Sequence, residues 1–128
     1  GLAYIYFTYG NHWMLNAVTE KEGFPAAVLI RALQRREGVG VVMERRQGRD
    51  TLGPGKLTQA LGITKSQNYA DLTESGSGLW IEAGVKVSEK SVTIGPRVGL
   101  NKTPQPWLSK PWRFLVNNLG DEHGLIGR

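Results

Sequence analysis

The opening residues Tyr4-Ile5-Tyr6-Phe7-Thr8-Tyr9-Gly10-Asn11-His12-Trp13-Met14-Leu15-Asn16 alternate in character on both sides of a Gly-Asn pair, which leaves few choices of local fold. Period-two patterning around such a turn signal specifies a β-hairpin. Two loop lengths compete. A two-residue turn at Gly10-Asn11 mixes polar and apolar side chains on both faces. A three-residue loop, Gly10 to His12, sorts Ile5, Phe7, Trp13, Leu15 and Ala17 onto one face and Tyr4, Tyr6, Thr8, Met14, Asn16 and Val18 onto the other. A one-residue slip exchanges the two faces, so a buried face selects its register strongly, and the three-residue loop is predicted. That register sets Tyr6 opposite Asn16 and leaves Tyr9 near an exposed tip. An aromatic tip of this kind suits insertion between stacked bases, although aromatic residues are also what any strand prefers.

The rest of the composition bounds the class. A chain of 128 residues with 40% hydrophobic and 21% charged residues fits one globular domain over residues 1–128 with a modest core. Cysteine is absent, which excludes disulfide and thiolate chemistry. No apolar run approaches the roughly 20 residues of a membrane span, and no charged-then-apolar leader opens the chain. A soluble, intracellular, monomeric protein is expected, in a bacterial cytoplasm or nucleoid rather than a nucleus. Gly1-Leu2-Ala3 runs directly into a strand, which predicts further chain upstream.

Charge is unevenly spread. From Arg31 to Lys65 the basic residues are Arg31, Arg35, Arg36, Arg45, Arg46, Arg49, Lys56 and Lys65, against Glu37, Glu44 and Asp50. The surplus equals the net charge of the whole chain, +5. A basic sector of this kind faces an anion, most often nucleic acid, or is a solvated basic helix.

Along the chain, Ala26 to Leu33 is a nearly continuous apolar run and reads as a buried strand. Val39 to Gln47 has helical spacing, with Val39, Val42, Met43 and Arg46 on neighbouring turns. Pro54 starts a second helix and Gly62 caps it. Residues 64–77 read as loop. Leu79–Ala83, Val92–Leu100 and Trp112–Val116 read as strands. The fold class is α+β, with a curled, mostly antiparallel sheet, a few short helices and a protruding hairpin.

A few residues carry candidate chemistry. Arg31 interrupts an apolar strand, and a buried guanidinium requires an anion or several acceptors. Either it pairs with a distant acid such as Glu44 or Glu82, or it lines a polar pocket. Asn16 lies in a strand, where Asn is disfavoured. It either faces water or offers a donor and an acceptor to a base edge. Tyr6 either packs or stacks on a flat ligand. Gly53-Pro54-Gly55-Lys56 brings backbone N–H groups and an ammonium to a helix N-terminus, which suits a phosphate. It serves equally as a plain glycine-rich helix start, and the P-loop spacing is absent. With His12 and His123 as its only histidines, the chain shows no metal site. No nucleophile-elbow or dinucleotide motif is present either. No carboxylate among Glu20, Glu22, Glu89, Asp121 and Glu122 reads as a buried base.

Taken in order, Tyr4 to Gly10, Asn16, Ala27 to Leu33, Gly53 to Ile63, Arg97-Val98-Gly99 and Pro111 to Phe114 resemble the alkyladenine (3-methylpurine) DNA glycosylase family. The similarity runs from Leu2 to about Val116. The resemblance implies a monofunctional enzyme that flips an alkylated or deaminated purine out of duplex DNA. Such an enzyme hydrolyses the N-glycosidic bond with an activated water and needs no cofactor. It also implies roles. Tyr9, with His12 beside it, fills the gap in the stack. Tyr6 and Asn16 form the lesion-base pocket. Arg31 and the Val98 carbonyl hold the water. Gly55 and Lys56 touch the DNA phosphate. In the family the general base is a Glu ahead of the hairpin, accompanied by a second Tyr and a His, and that segment is not in this sequence. At the tip, Asn11-His12 stands where the family has Met and an aromatic residue. The chain is therefore expected to be a fragment or a variant with impaired turnover. A non-catalytic nucleic-acid-binding module, or a structural domain whose hairpin packs on a partner, are the other readings.

Overall fold

A computed structural model of the chain describes residues 1–34, 37–100 and 102–117. Arg35, Arg36, Asp121, Glu122 and His123 lie outside the described residues. Two units are resolved, one over residues 1–83 and one beginning at Gly84, and each is described by itself.

The first unit is built on the hairpin. Strand β1 (Ala3–Thr8) pairs antiparallel with β2 (His12–Thr19), and Thr8 lies opposite His12. The loop is three residues long, but it is Tyr9-Gly10-Asn11 rather than Gly10 to His12. Two consecutive left-handed residues, Tyr9 at φ 53° and Gly10 at φ 73°, turn the chain one residue earlier than predicted. The Asn11 N–H then closes the turn on the Thr8 carbonyl at 3.3 Å. Because the pairing shifts by an even number of residues, the two faces survive and only the partners change. Tyr6 faces Met14, and Asn16 faces Tyr4.

Strand β3 (Ala26–Leu29) adds to β2 and forms one edge of the order β1-β2-β3. The expected buried strand from Ala26 to Leu33 is thus a four-residue edge strand followed by extended chain, and Val28 is 54% exposed. An edge strand has a neighbour on one side only, so its apolar run does not imply burial on both faces. The outer edge of β1 is covered. Residues 68–72 run along it, with Ala3 N–H donating to the Ala70 carbonyl (2.8 Å) and Tyr69 N–H to the Ala3 carbonyl (2.9 Å). The Asn68 side-chain oxygen accepts from Ile5 N–H at 2.8 Å.

Most of the predicted apolar face forms the core; Phe7, near the tip, is instead 50% exposed. Ala3, Ile5 and Leu15 meet Leu57, Ile63 and Leu72, with Trp13, Ala17 and Ile30 packed against them. Leu57 comes from α2 (Pro54–Leu61), which starts on Pro54 and ends on left-handed Gly62 as expected. The Thr58 hydroxyl, 1% exposed, donates to the Trp13 carbonyl at 2.9 Å and so fastens α2 to β2. Helix α1 (Val39–Arg46) is tied to α2 by side chains: Arg45 Nη1 donates to the Ala60 carbonyl (3.3 Å) and Gln59 Nε2 to the Arg45 carbonyl (3.3 Å). Leu79–Ala83 is not a strand. Its Ile81 N–H reaches the Leu72 carbonyl at 2.8 Å, and one such bond builds no ladder. Within residues 64–77 there are two short 3-10 turns, Lys65–Gln67 and Ser75–Ser77.

In the second unit β4 (Val92–Gly95) pairs antiparallel with β5 (Arg113–Val116). The strand expected over Val92–Leu100 stops at Gly95, because Pro96 has no N–H to give and Gly99 turns left-handed at φ 78°. Among the described residues, two α-helices with antiparallel three- and two-stranded sheets make the fold α+β, as the sequence pattern implied.

Candidate nucleic-acid interface

At the hairpin tip the Tyr9 side chain is 81% exposed on a backbone that side chains rarely adopt. His12 opens β2 and rests on the first turn of α2. A methyl group built on Gly55 would stand 2.7 Å from His12 Cγ, so only glycine admits the imidazole there. The structure therefore brings Tyr9, His12, Gly55 and Lys56 to one end of the first unit. His12 lies against the helix start, whereas Tyr9 projects.

Lys56 is not a free cation. Its Nζ lies 2.9 Å from Asp50 Oδ1 and 3.0 Å from Oδ2, and Oδ1 also accepts from Leu52 N–H at 2.9 Å. The Lys56 ammonium first, and then the Leu52 N–H, hold the Asp50 carboxyl below its ordinary value of 3.8. A lowered carboxylate pKa means that the link is complete above the ordinary value and is lost as pH falls through the lowered one. At neutral pH Asp50 therefore cancels Lys56. Asp50→Asn keeps an acceptor for Leu52 and releases the lysine. Under the phosphate-contact reading of Lys56, the expected result is tighter DNA binding with a salt slope steeper by about 0.9. Polarisation measurements across a salt series check it, and an unchanged slope would show that Lys56 does not meet the backbone.

Other cations of the Arg31–Lys65 stretch are also used internally. Arg46 is buried, donates from Nε to the Asp50 carbonyl (3.0 Å) and bonds Gln59 Oε1. The Arg45 guanidinium sits over Gly62 at the C-terminal end of α2, where a cation suits the helix dipole. The expected anion-facing sector is thus partly a set of ties between helices. The signal was available in the sequence, since Arg46 falls on the same helical stripe as Val42 and Met43.

On the sheet face opposite the core, Asn16 is 7% exposed and donates its amide to the Tyr4 carbonyl at 3.1 Å. Tyr6 stands beside Tyr4, ring centroids 5.4 Å apart, across from buried Met14. Ile30 N–H donates to the Leu15 carbonyl at 3.0 Å, which carries the β2–β3 register one residue past the strand. Ile30 packs on the core, and Arg31 follows it as the chain leaves the sheet. Arg31 is half-buried, its carbonyl accepts from Gly53 N–H at 3.0 Å, and among the described residues it forms no ion pair with Glu44 or Glu82. Val98 belongs to the second unit, exposed in the chain leaving β4.

The family model described as methylpurine-DNA glycosylase matches residues 1–119. Among curated relatives, a protein of Chlorobaculum parvum provisionally named a 3-methyladenine DNA glycosylase is 40% identical over 91% of this chain and 54% of its own length. Similarly named proteins of Methanocella arvoryzae and Rhodopseudomonas palustris are each 42% identical, over 92% and 89% of this chain and 60% and 54% of theirs. The chain thus spans little more than half the length of these relatives.

Proposed function

Because the chain belongs to the methylpurine-DNA glycosylase family, we propose that it serves base-excision repair by removing alkylated or deaminated purines of the 3-methyladenine type from duplex DNA. The observation that carries this reading is the face on which Tyr6 and buried Asn16 stand together, on the hairpin whose strained tip is Tyr9.

In this reading Tyr9 enters the stack and occupies the space left by the everted nucleotide, which offsets part of the unstacking cost. His12 backs the tip. Tyr6 stacks on the lesion base. Asn16, its carboxamide held by the Tyr4 carbonyl, rejects a purine that bears the exocyclic amino group of guanine. Arg31 orients a water whose oxygen bonds to the sugar carbon as the glycosidic bond breaks. The bond electrons leave with the base, and the proton given up by the water passes to solvent. Gly55 and Lys56 approach a phosphate. The DNA-bound protein acts within the cell, where chromosomal duplex is its partner.

Binding tests the reading without requiring turnover. Stacking of one base on an aromatic ring is worth about 1–3 kcal/mol, so a duplex with ethenoadenine or hypoxanthine should bind roughly fivefold or more tightly than its undamaged counterpart. Tyr6→Ala should erase most of that preference. Equal affinity of the wild-type chain for damaged and undamaged duplex would reduce it to a plain nucleic-acid-binding module.

A further inference from the structure

We propose that the aromatic–cation cluster of the second unit, formed by Trp107, Trp112, Arg97 and Lys110, is a contact surface for the phosphodiester backbone of DNA. The inference rests on the glycosylase reading for the identity of the anion, and on the second unit alone for the existence of the site.

Charge is the first observation. Residues 84–117 carry Lys86, Lys90, Arg97, Lys102, Lys110 and Arg113 against one acid, Glu89. Counting charge along the sequence hides this, because Asp71, Glu74 and Glu82 on one side and Asp121 and Glu122 on the other cancel it. Glu89 precedes β4, so about 10 Å of strand separates it from the connection that bears the cluster.

Geometry is the second. The Trp107 and Trp112 rings lie 5.7 Å apart and inclined at 37°. Lys110 Nζ sits 5.7 Å from one ring centroid and 5.8 Å from the other, and Arg97 Cζ lies 5.2 Å from that of Trp112. Arg97 also donates from Nη2 to the Trp107 carbonyl at 3.2 Å. The rings thus hold two cations in place by their π faces. Both indoles remain nearly half exposed, and no carboxylate pairs with either cation among the described residues. Two half-buried cations without a carboxylate partner among the described residues, held against half-exposed rings, suit contact with phosphate, and the contact with the rings removes much of the entropy that a free lysine loses on binding.

The test is polarisation of a labelled undamaged duplex with the full chain over a salt series. One lost phosphate contact lowers the magnitude of the log–log salt slope by about 0.9, which is about an eightfold loss of affinity at 0.1 M salt. Lys110→Gln should show that loss and Lys110→Arg should not. Ser109→Glu gives up the hydroxyl's bonds to Gln105 Oε1 (2.7 Å) and the Pro106 carbonyl (3.3 Å) and adds a carboxylate next to Lys110 in the chain; it should weaken binding in the same sense. Unchanged slope and affinity in Lys110→Gln and Ser109→Glu would overturn the proposal. So would an equal loss in Lys86→Gln, because that lysine contacts neither ring and its loss reports net charge alone. The preference for lesion over undamaged duplex should be the same in Lys110→Gln as in wild type. If the wild-type chain shows no lesion preference while Lys110→Gln still loses slope, the repair reading fails and this contact stands.

Discussion

Leu57→Ala is expected to lower the unfolding free energy by about 2–5 kcal/mol, the range for truncating a leucine in a core that relaxes only in part. Leu57 is 2% exposed and packs among Ala3, Ile5, Leu15, Ile63 and Leu72, so both layers of the first unit meet on it. Three carbons removed there leave a gap between a sheet fixed by ladder bonds and a helix fixed by Thr58, and neither can easily move in. Leu61, on the same helix, is 41% exposed, and its truncation should shift stability by no more than about 0.5 kcal/mol. Urea denaturation of both variants measures the difference. A Leu57→Ala loss under about 1 kcal/mol would mean that α2 is not clasped to the sheet as described.

The second large effect changes sign with its background. Gly55→Ala places a methyl group 2.7–2.9 Å from three atoms of His12, including Cβ, so the imidazole cannot escape by rotating its far end alone. Overpacking of that kind costs about 1–3 kcal/mol. In a His12→Gly background all three atoms are gone, and alanine is better than glycine in a helix by up to about 1 kcal/mol. The same substitution should then stabilise. A double-mutant cycle of the two, read by denaturation, isolates the coupling. Additive effects would show that the hairpin tip and the start of α2 do not touch, and would separate His12 from Gly55 and Lys56 in any shared DNA contact.

Much of this fold was legible because it obeys local rules. The faces of the hairpin followed from alternation, and Pro54 and Gly62 marked the limits of α2. What was not legible depended on backbone torsion or on distant neighbours. Patterning fixes the parity of a register and not its absolute position, so the left-handed Tyr9 moved the loop while every side chain kept its face. The apolar run after Pro25 read as buried because sequence records what a side chain is and not whether a second strand lies beside it. For the site, the shared face of Tyr6 and Asn16 was legible, though not their partners. The restraint of Lys56 by Asp50 was not, because the two lie six positions apart, across the turn that leads into α2. Segment-wise charge counting pointed to the Arg31–Lys65 stretch, where several cations serve as struts. It passed over residues 84–117, where a single acid stands among six bases.

The torsion at position 9 sets fold robustness against sharpness of the tip. A non-glycine side chain in that conformation carries a strain of order 1–3 kcal/mol, and glycine at the same place would relieve it. Sturdier descendants of this protein are therefore reached most easily by blunting it, so heat tolerance and the stack-entering role proposed for Tyr9 pull in opposite directions at one residue.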